Sequence, residues 1–361
     1  MIADDSAVIR GLTTRALEAE PDIEVVASVP DGRMAVAQLE RTVVDVIVLD
    51  VEMPNMDGLT AIPHLLKVAP LVKIVMSSTL TVKNAETSMK AMQAGAADCL
   101  PKPTATRDML GAADFNRMLV EKVRSLGQAA QRGGSRARTV AARGTPSTVP
   151  MRPVSTLPRA LPPARPMPVM APKIIAIGSS TGGPQALFEV LKHLAGTDCP
   201  PIMLTQHMPP TFTTILADHI QRQCGIPTIE VQDGTPLQRG RVHVAPGDFH
   251  MTVSSDGGTL HIDKNPPENF CRPAVDPMLR SVVAAFGPRV LTLILTGMGS
   301  DGLKGCGKVV ESGGAVLAQD EATSVVWGMP GAVATAGLCS AVLPLTEIGP
   351  RLKALATARA A

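Results

Sequence analysis

Short apolar runs alternate with amphipathic segments along most of this chain, and this order restricts the fold to parallel sheets covered by helices. The runs at residues 43–49 and 72–76 predict strands buried on both faces, because they are apolar throughout. The segments at 59–68 and 82–94 predict helices that cover those strands. We therefore predict an α/β fold whose first domain is doubly wound around a parallel sheet.

The same order returns in the second half of the chain. Residues 173–177 predict a strand that leads through a glycine-rich turn into an amphipathic helix. Residues 247–263, with Asp-Gly-Gly at their centre, predict a β-hairpin inserted in the second sheet. Further strands are predicted at 202–205, 241–245, 290–296 and 315–318. The second half is therefore expected to form another doubly wound domain with a parallel sheet.

The periodicity stops between these two parts. Pro, Arg, Ala, Gly and Ser dominate residues 126–171, where neither a capped helix nor an alternating strand is visible. Nine basic residues from Lys122 to Arg165 follow one another with no acidic residue between them. The predicted organisation is a first domain at 1–122 with a truncated first strand, a flexible basic linker at 123–171, and a second domain at 172–357.

Composition excludes several classes of protein. The 361 residues suffice for two domains with their own cores, and the six cysteines are scattered without metal-site spacing, as in a reducing compartment. No apolar run approaches the length of a membrane span, and the N-terminus is acidic where a signal peptide is basic. Outside the linker the charge is acidic, and tyrosine is absent. We expect a cytoplasmic protein with no nucleic-acid partner and no membrane insertion.

Carboxylates and a lysine follow the predicted strands of the first domain. Asp4 and Asp5 precede the first helix, Asp50 ends a buried strand, and Lys102 follows the short strand at 98–100. Because the carboxyl ends of parallel strands meet at one edge of the sheet, we expect these groups to lie together. Packed carboxylates suit a hard cation such as Mg²⁺, and Lys102 could then pair with a phosphoryl oxygen. Taken singly, each aspartate is more typical of a helix cap or a turn.

A serine, a histidine and an aspartate follow three predicted strands of the second domain. Ser180 lies in a glycine-rich turn that exposes its hydroxyl and directs helix amides to the same place. A serine hydroxyl is a weak nucleophile unless a general base takes its proton, and the base needs an orienting partner. His207 and Asp301 stand where those two groups are needed, so the set predicts acyl transfer.

Simpler interpretations of these residues remain open at this point. The turn around Ser180 could bind a phosphate or a dinucleotide, although the G-x-G-x-x-G pattern is not met. His207 could be a core histidine, Asp301 could cap the next helix, and Ser179 is a rival nucleophile. The other six histidines fall on predicted helices, strands or the hairpin, which leaves His207 as the best-placed base.

Four segments of the first domain resemble the response-regulator receiver domain, which has a flavodoxin-like fold: residues 4–6, 49–58, 76–78 and 102–103. On this resemblance Asp50 is the phosphorylation site, Ser77 the switch hydroxyl and Lys102 the phosphate-sensing lysine. The resemblance also implies Mg²⁺, bound by Asp4, Asp5, Asp50 and the main-chain carbonyl of Glu52. Cys99 stands where receivers commonly carry an aromatic residue, so the switching detail is expected to differ.

Segments of the second domain resemble the catalytic domain of chemotaxis protein-glutamate methylesterase: residues 177–184, 206–209, 295–302, 318–321 and 328–330. That family carries a receiver domain before a Rossmann-like hydrolytic domain, and it is a phosphorylation-regulated hydrolase that also deamidates glutamines. The resemblance implies Ser180 as nucleophile, His207 as general base and then acid, and Asp301 as the orienting group. Thr181 and the Met298 amide are the implied oxyanion groups, and the hydrolytic step needs no cofactor.

The resemblance also implies partners and a mode of control. Methylated chemoreceptors are the implied substrates, a chemotaxis histidine kinase the phosphodonor, and the protein is expected to be a monomer. The unphosphorylated receiver is expected to cover the esterase cleft until Asp50 is phosphorylated. Two alternatives stay open: a phosphorylation-gated adaptor with an idle serine, and an esterase or amidase that acts on a protein other than a receptor.

Overall fold

Parallel strands covered by helices make up both halves of the chain, as the apolar periodicity predicts. The structure, a computed structural model, describes residues 1–79, 81–102, 109–141 and 161–357, with side chains in the helix at 109–141 described for 115–132. None of the described helices has both the length and the apolar character needed to cross a lipid bilayer.

The first domain is built on five parallel strands. They are β1 (Ile2–Ala3), β2 (Ser28–Val29), β3 (Val46–Asp50), β4 (Lys73–Ser78) and β5 (Asp98–Pro101); the helices are α1 (Ala7–Glu18), α2 (Gly32–Leu39), α3 (Gly58–Val68), α4 (Val82–Gln93) and α5 (Met109–Ala141). The strand order is β2-β1-β3-β4-β5, and β1 pairs with both neighbours although it has only two residues. Because the chain passes from β2 across β1 to β3, the carboxyl ends of β1 and β3 border a crevice.

Local sequence explains where the helices of this domain begin. Ser6, Asp31, Asp57 and Thr81 each precede a helix in an extended conformation, and each side-chain oxygen accepts a hydrogen bond from the amide three residues on. Such caps satisfy amides that have no partner within the helix. The four helices therefore begin directly after strands or turns, which keeps the connecting segments short.

The second domain contains a larger parallel sheet. Its strands are β6 (Ile174–Ser179), β7 (Ile202–Gln206), β8 (Thr228–Glu230), β10 (Val242–Val244), β13 (Val290–Ile294), β14 (Ala315–Gln319) and β15 (Ala341–Leu343), and a separate sheet contains β9 (Thr235–Pro236), β11 (His250–Val253) and β12 (Thr259–Asp263). The helices are α6 (Gly183–Leu191), α7 (Phe212–Cys224), α8 (Val275–Phe286), α9 (Leu303–Glu311), α10 (Met329–Thr335) and α11 (Leu345–Thr357). The seven strands lie in the order β15-β14-β13-β6-β7-β10-β8, so β6 has its neighbours β13 and β7 on opposite sides.

The predicted hairpin forms, but its predicted place is wrong. Strands β11 and β12 pair in antiparallel fashion and, with β9, make a separate three-stranded sheet instead of joining the parallel one. Met251, Val253 and Leu260 are buried, whereas Thr252 and His261 are not. Strands with a single apolar face need cover on that face alone, and helix α8 lies against β11.

Helix α5 corrects the predicted start of the linker. It continues past residue 122 to Ala141, so the prediction of a flexible segment from residue 123 is wrong for this stretch. Leu119, Val123 and Leu126 are buried in the first domain, because their spacing places them on one side of the helix. The part of the predicted linker at 142–160 lies outside the described residues.

The two domains pack against each other through α4, β5 and α5 of the first. The side-chain amide of Gln185, in α6, donates hydrogen bonds to the carbonyl oxygens of Met92 (2.8 Å) and Ala96 (2.5 Å). Val326 of the second domain belongs to the same buried apolar cluster as Leu119 and Val123 of α5. Burial of apolar surface and satisfied hydrogen bonds together hold the first domain over the carboxyl edge of the second sheet.

A pair of glycine substitutions tests how tightly the first domain is packed beside Asp50. A Cβ at Gly58 would lie 2.1 Å from the Asp50 carbonyl oxygen, whereas a Cβ at Gly11, within α1, would meet no atom within 4 Å. We expect Gly58→Ala to cost about 2 kcal/mol or more of unfolding free energy, since the contact is with backbone. Gly11→Ala should add about 0.5–1 kcal/mol. Thermal and urea unfolding would measure both; equal stability of the two variants would contradict the packing.

Candidate active site

Three polar residues predicted from the sequence meet at the carboxyl edge of the second sheet. Ser180 follows β6, His207 follows β7, and Asp301 follows β13 by a short loop. Because β6 lies between β13 and β7, the three strand ends are adjacent, and they border the crevice at the point where the strand order reverses. Ser180, His207 and Asp301 also line one cavity of about 670 Å³.

Asp301 is buried and surrounded by donors. Its carboxylate accepts hydrogen bonds from the amides of Val275 (2.6 Å) and Asp276 (3.2 Å), at the start of α8, and from the side chain of Asn269 (2.8 Å). Burial alone would raise the pKa of Asp301, but the hydrogen bond with His207 and these amides lower it. The carboxylate therefore stays ionised and held in one orientation, as an orienting partner of a base must be.

His207 is held by Asp301 through one ring nitrogen and meets a thiol at the other. Its Nε2 donates to Asp301 Oδ2 at 2.8 Å, and its Nδ1 lies 3.4 Å from Cys271 Sγ. Burial lowers the pKa of His207, but its interactions with Cys271 and with the Asp301 carboxylate outweigh burial and raise the pKa to about 10. Nδ1 is therefore the nitrogen left to take a proton from Ser180, although no hydrogen bond joins these two described side chains here.

The turn after β6 distinguishes between the two serines. Ser179 is fully buried, and its hydroxyl donates to Gln206 Oε1 at 2.7 Å. Ser180 lines the cavity, and the Gln206 side-chain amide donates to its carbonyl oxygen at 2.9 Å. Gln206 thus fixes both serines, with Ser179 directed into the interior. The geometry favours Ser180 over Ser179 as a nucleophile.

The two implied oxyanion groups differ in their surroundings. The Thr181 hydroxyl donates to the carboxylate of Asp98, and the Gly182 amide donates to the carbonyl oxygen of Ala97 at 3.0 Å. Both acceptors belong to the first domain. The Met298 amide, in contrast, has no hydrogen-bond partner among the described residues and borders the cavity. Donors that could stabilise an oxyanion are therefore partly occupied by the first domain in this conformation.

The first domain also forms one wall of the cavity. That wall consists of Asp98, Cys99 and Pro101 from β5 and of Arg117, Met118, Glu121, Lys122 and Ser125 from α5. Opposite it lie the loop at residues 207–210 and the loop at 269–273. Arg272, in the second loop, donates to Asp248 Oδ1 at 2.6 Å. Trp327 does not line the cavity; it donates to the Gln319 carbonyl oxygen and packs against the core. The cavity is thus closed on one side by residues of the other domain.

A second polar cluster lies at the carboxyl edge of the first sheet. Carboxylate oxygens of Asp4, Asp5 and Asp50 all lie within 4.8 Å of one another. The Lys102 ammonium lies 2.7 Å from Asp4 and 2.8 Å from Asp50. Burial raises the pKa of Asp50 to about 6, against the opposing effect of Lys102. Hard oxygen ligands of this kind fit Mg²⁺, and a cation here would relieve the repulsion between the carboxylates.

The remaining residues predicted for this cluster border it. Ser77 is buried at the end of β4, directly opposite Asp50 in the strand register. Glu52 is exposed, and its carboxylate lies 3.4 Å from the Lys83 ammonium, outside the group formed by Asp4, Asp5 and Asp50. Cys99 is buried in β5, and burial raises the pKa of its thiol to about 12. A thiol in that state acts as a small apolar side chain.

Four residues at the candidate active site were not predicted from the sequence. Asp98 reaches Thr181 across the domain boundary, Cys271 meets His207, and Asn269 bridges Asp301 and Asp276. Phe270 lines the cavity with three-quarters of its surface exposed. Only Asn269 carries a local signal, because asparagine tolerates the positive φ of 52° that it adopts here.

Comparison with known proteins gives consistent matches to both domains. Residues 175–352 match the family model for CheB methylesterase, and residues 1–114 match the response regulator receiver domain. The protein-glutamate methylesterase/protein-glutamine glutaminase of group 2 operon of Rhodospirillum centenum is 60% identical, covering 100% of this chain and 94% of that protein. Its counterpart in Azospirillum brasilense is 60% identical, over 99% and 92% respectively. The crystal structure of the Thermotoga maritima CheB methylesterase catalytic domain is 40% identical with a TM-score of 0.50, covering 52% of this chain and 100% of that one.

The raised pKa of His207 predicts a distinctive pH dependence. In this conformation the ring is protonated at neutral pH, and it can accept a proton only when neutral. We expect kcat/KM of the unphosphorylated protein for an ester to rise about tenfold per pH unit above pH 7 and to level off near pH 10.

Two variants serve as controls in that experiment. Cys271→Ala removes one cause of the raised pKa, so its activity should level off at lower pH. Ser180→Ala measures uncatalysed alkaline hydrolysis, which is subtracted. A flat profile from pH 7 upward in the wild type would contradict the expected titration of His207.

Proposed function

The chain belongs to the protein-glutamate methylesterase/protein-glutamine glutaminase family, and from that membership we propose that it hydrolyses γ-glutamyl methyl esters and deamidates glutamines on cytoplasmic helices of chemoreceptors. It is a hydrolase with a response-regulator receiver domain before its catalytic domain. One observation carries the proposal: Ser180 shares a cavity with a histidine whose Nε2 is bonded to a buried, ionised aspartate at 2.8 Å. This activity would serve chemotaxis adaptation in the cytoplasm.

The proposed reaction is an acyl transfer in two steps. Ser180 Oγ attacks the ester carbonyl carbon while His207 takes its proton, and the negative charge that develops on the carbonyl oxygen is stabilised by amides such as that of Met298. His207 then gives the proton to the departing methoxide, so methanol leaves and an acyl-enzyme remains. Water, activated by the same histidine, attacks the acyl-enzyme and restores glutamate and free Ser180. With a glutamine substrate the leaving group is ammonia, and the other steps are unchanged.

Asp301 keeps the base in the productive orientation throughout both steps. Because its carboxylate is fixed by amides at the start of α8 and by Asn269, the imidazolium formed during the reaction faces a charge that need not reorganise. This arrangement supports general acid–base catalysis by His207.

The receiver is proposed to inhibit this site until it is phosphorylated. Its residues close one side of the cavity and take hydrogen bonds from the Thr181 hydroxyl and the Gly182 amide. A chemotaxis histidine kinase is the proposed phosphodonor for Asp50, and the protein is proposed to act as a monomer. Mg²⁺, which would be bound by Asp4, Asp5, Asp50 and the Glu52 carbonyl, supplies charge neutralisation for phosphoryl transfer.

Strand β5 offers a short physical connection between the two sites. It begins at Asp98, which accepts from Thr181, and is followed by Lys102, which pairs with Asp50. A phosphoryl group adds about −1.5 to −2 charge and new acceptor oxygens, so Lys102 would move to pair with it. A shift of β5 would draw Asp98 away from Thr181 and free the groups that stabilise the oxyanion.

Methanol release from a methylated chemoreceptor tests the proposed activity. We expect the wild type to release methanol, and the rate to rise when a small-molecule phosphodonor and Mg²⁺ are present. Ser180→Ala should fall to background under both conditions, while Ser179→Ala measures how much the buried serine matters for packing. An active-site serine reagent should label Ser180 alone. No release above the Ser180→Ala background would contradict the proposed methylesterase activity and favour an adaptor or another substrate.

Two receiver variants test the proposed inhibition. Asp50→Asn should keep basal activity and lose activation by the phosphodonor, because it lacks the acceptor carboxylate. Asp98→Ala removes the acceptor for Thr181, so basal activity should rise severalfold without phosphodonor. Activation that survives in Asp50→Asn, or unchanged basal activity in Asp98→Ala, would contradict this route of control.

A further inference from the structure

One face of α5 belongs to the receiver core, and the other faces the active-site cavity. The cavity-facing residues are Arg117, Met118, Glu121, Lys122 and Ser125. Their spacing of one, three or four positions is that of a single helix face. A helix therefore already lies along the cavity that contains Ser180, His207 and Asp301.

This helix presents a glutamate and an arginine in a defined register. Glu121 lines the cavity that contains Ser180. Arg117, one helical turn earlier, stacks its guanidinium over the Phe270 ring at 4.6 Å from the ring centroid. Residues four apart lie on the same side of a helix, so both side chains point to the catalytic domain.

Phe270 contacts the receiver through Arg117 and is otherwise largely exposed. The residue is 75% exposed, and its φ of 62° is strained for a side chain without a short polar group. Hydrogen bonds between Glu268 and Cys271, at 2.9 and 3.2 Å, close the turn that carries it. An exposed aromatic ring kept in a strained turn contributes little to the core, so its position serves the cavity.

Asn269 fixes this turn relative to the catalytic residues. Its side-chain amide donates to Asp301 Oδ1 at 2.8 Å and to Asp276 Oδ2 at 3.0 Å. The ring of Phe270 therefore stands at a set distance from the triad, beside the groove that α5 occupies.

We propose that α5 occupies the binding site of the substrate helix. Once the receiver has moved, a helix that carries the reacting glutamyl ester lies in the same groove, with the ester at the position of Glu121. A cationic side chain one turn before the ester stacks on Phe270, as Arg117 does in the closed form. This inference rests on the proposed function and adds the orientation of the substrate and a residue that selects it.

A peptide copied from α5 tests the proposal directly. The probe is residues 115–132 with Glu121 as its γ-methyl ester, stapled as a helix in its last two turns, away from positions 121 and 123. The full-length protein, activated by phosphodonor and Mg²⁺, should release methanol from it in a Ser180-dependent reaction. A control peptide with the ester at Val123→Glu, two positions away on the far side of the helix, should release none.

A double-mutant cycle tests the role of Phe270. Arg117→Ala in the peptide and Phe270→Asn in the enzyme should each raise KM about two- to fivefold, and the two together no further, because they remove one cation–π contact. Phe270→Tyr keeps the ring and should leave KM unchanged. Phe270→Asn should not lower the melting temperature, since asparagine suits the positive φ. Additive effects, or a KM change with equal loss of stability, would overturn the role of Phe270.

The methylated receptor, assayed in parallel, separates this inference from the proposed function. Release from the receptor with none from the esterified peptide would overturn the inference alone. Release from neither would overturn both. Equal release from the Glu121 and Val123→Glu esters would show that the groove imposes no register, which also overturns the inference.

Discussion

Parallel pairing of short buried strands is the constraint on which both sites depend. In the second sheet β6 pairs with β13 on one side and β7 on the other, so Ser180, His207 and Asp301 leave their strands at one edge. In the first sheet the pairing of Asp50 with Ser77 and of Ala3 with Leu49 aligns the acidic cluster in the same way. Ser180, His207, Asp301 and Asp50 each lie at or shortly after the end of a described strand, so a rigid scaffold positions them.

Residues that follow strands were predictable from sequence, because their position depends on local pattern and on one rule of sheet geometry. The Ser180, His207 and Asp301 set and the Asp4, Asp5, Asp50 and Lys102 set follow from that rule. Asp98 and Cys271 were not predictable, since their partners lie 83 and 64 positions away and depend on how the domains and loops pack. The extension of α5 was missed because composition suggested an unstructured segment where apolar residues at helical spacing pack on the receiver. The separate sheet of the hairpin was missed because the pairing of β12 with β9 joins residues that are distant in sequence.

In the described conformation the receiver occupies two polar groups beside Ser180 that a substrate could otherwise use. The Thr181 hydroxyl and the Gly182 amide donate hydrogen bonds to the receiver here, and the proposed opening would release both groups. If the receiver moves away as proposed, these hydrogen bonds would exchange for bonds to substrate or water, so the net free energy between the two forms would be small compared with the gross interactions. On the proposed control, the charge that a phosphoryl group adds at Asp50 would then be enough to shift the equilibrium between the two forms.

The two faces of α5 have a thermodynamic consequence for the proposed phosphorylation of Asp50. Because one helix belongs to the receiver core and also lines the active-site cavity, the proposed control would link occupancy of that cavity to the state of Asp50, and linkage is reciprocal. If phosphorylation opens the groove for a substrate helix, a substrate helix in the groove must in turn favour the phosphorylated receiver. Methylated receptors would then act as effectors that prolong the signal directing their own demethylation.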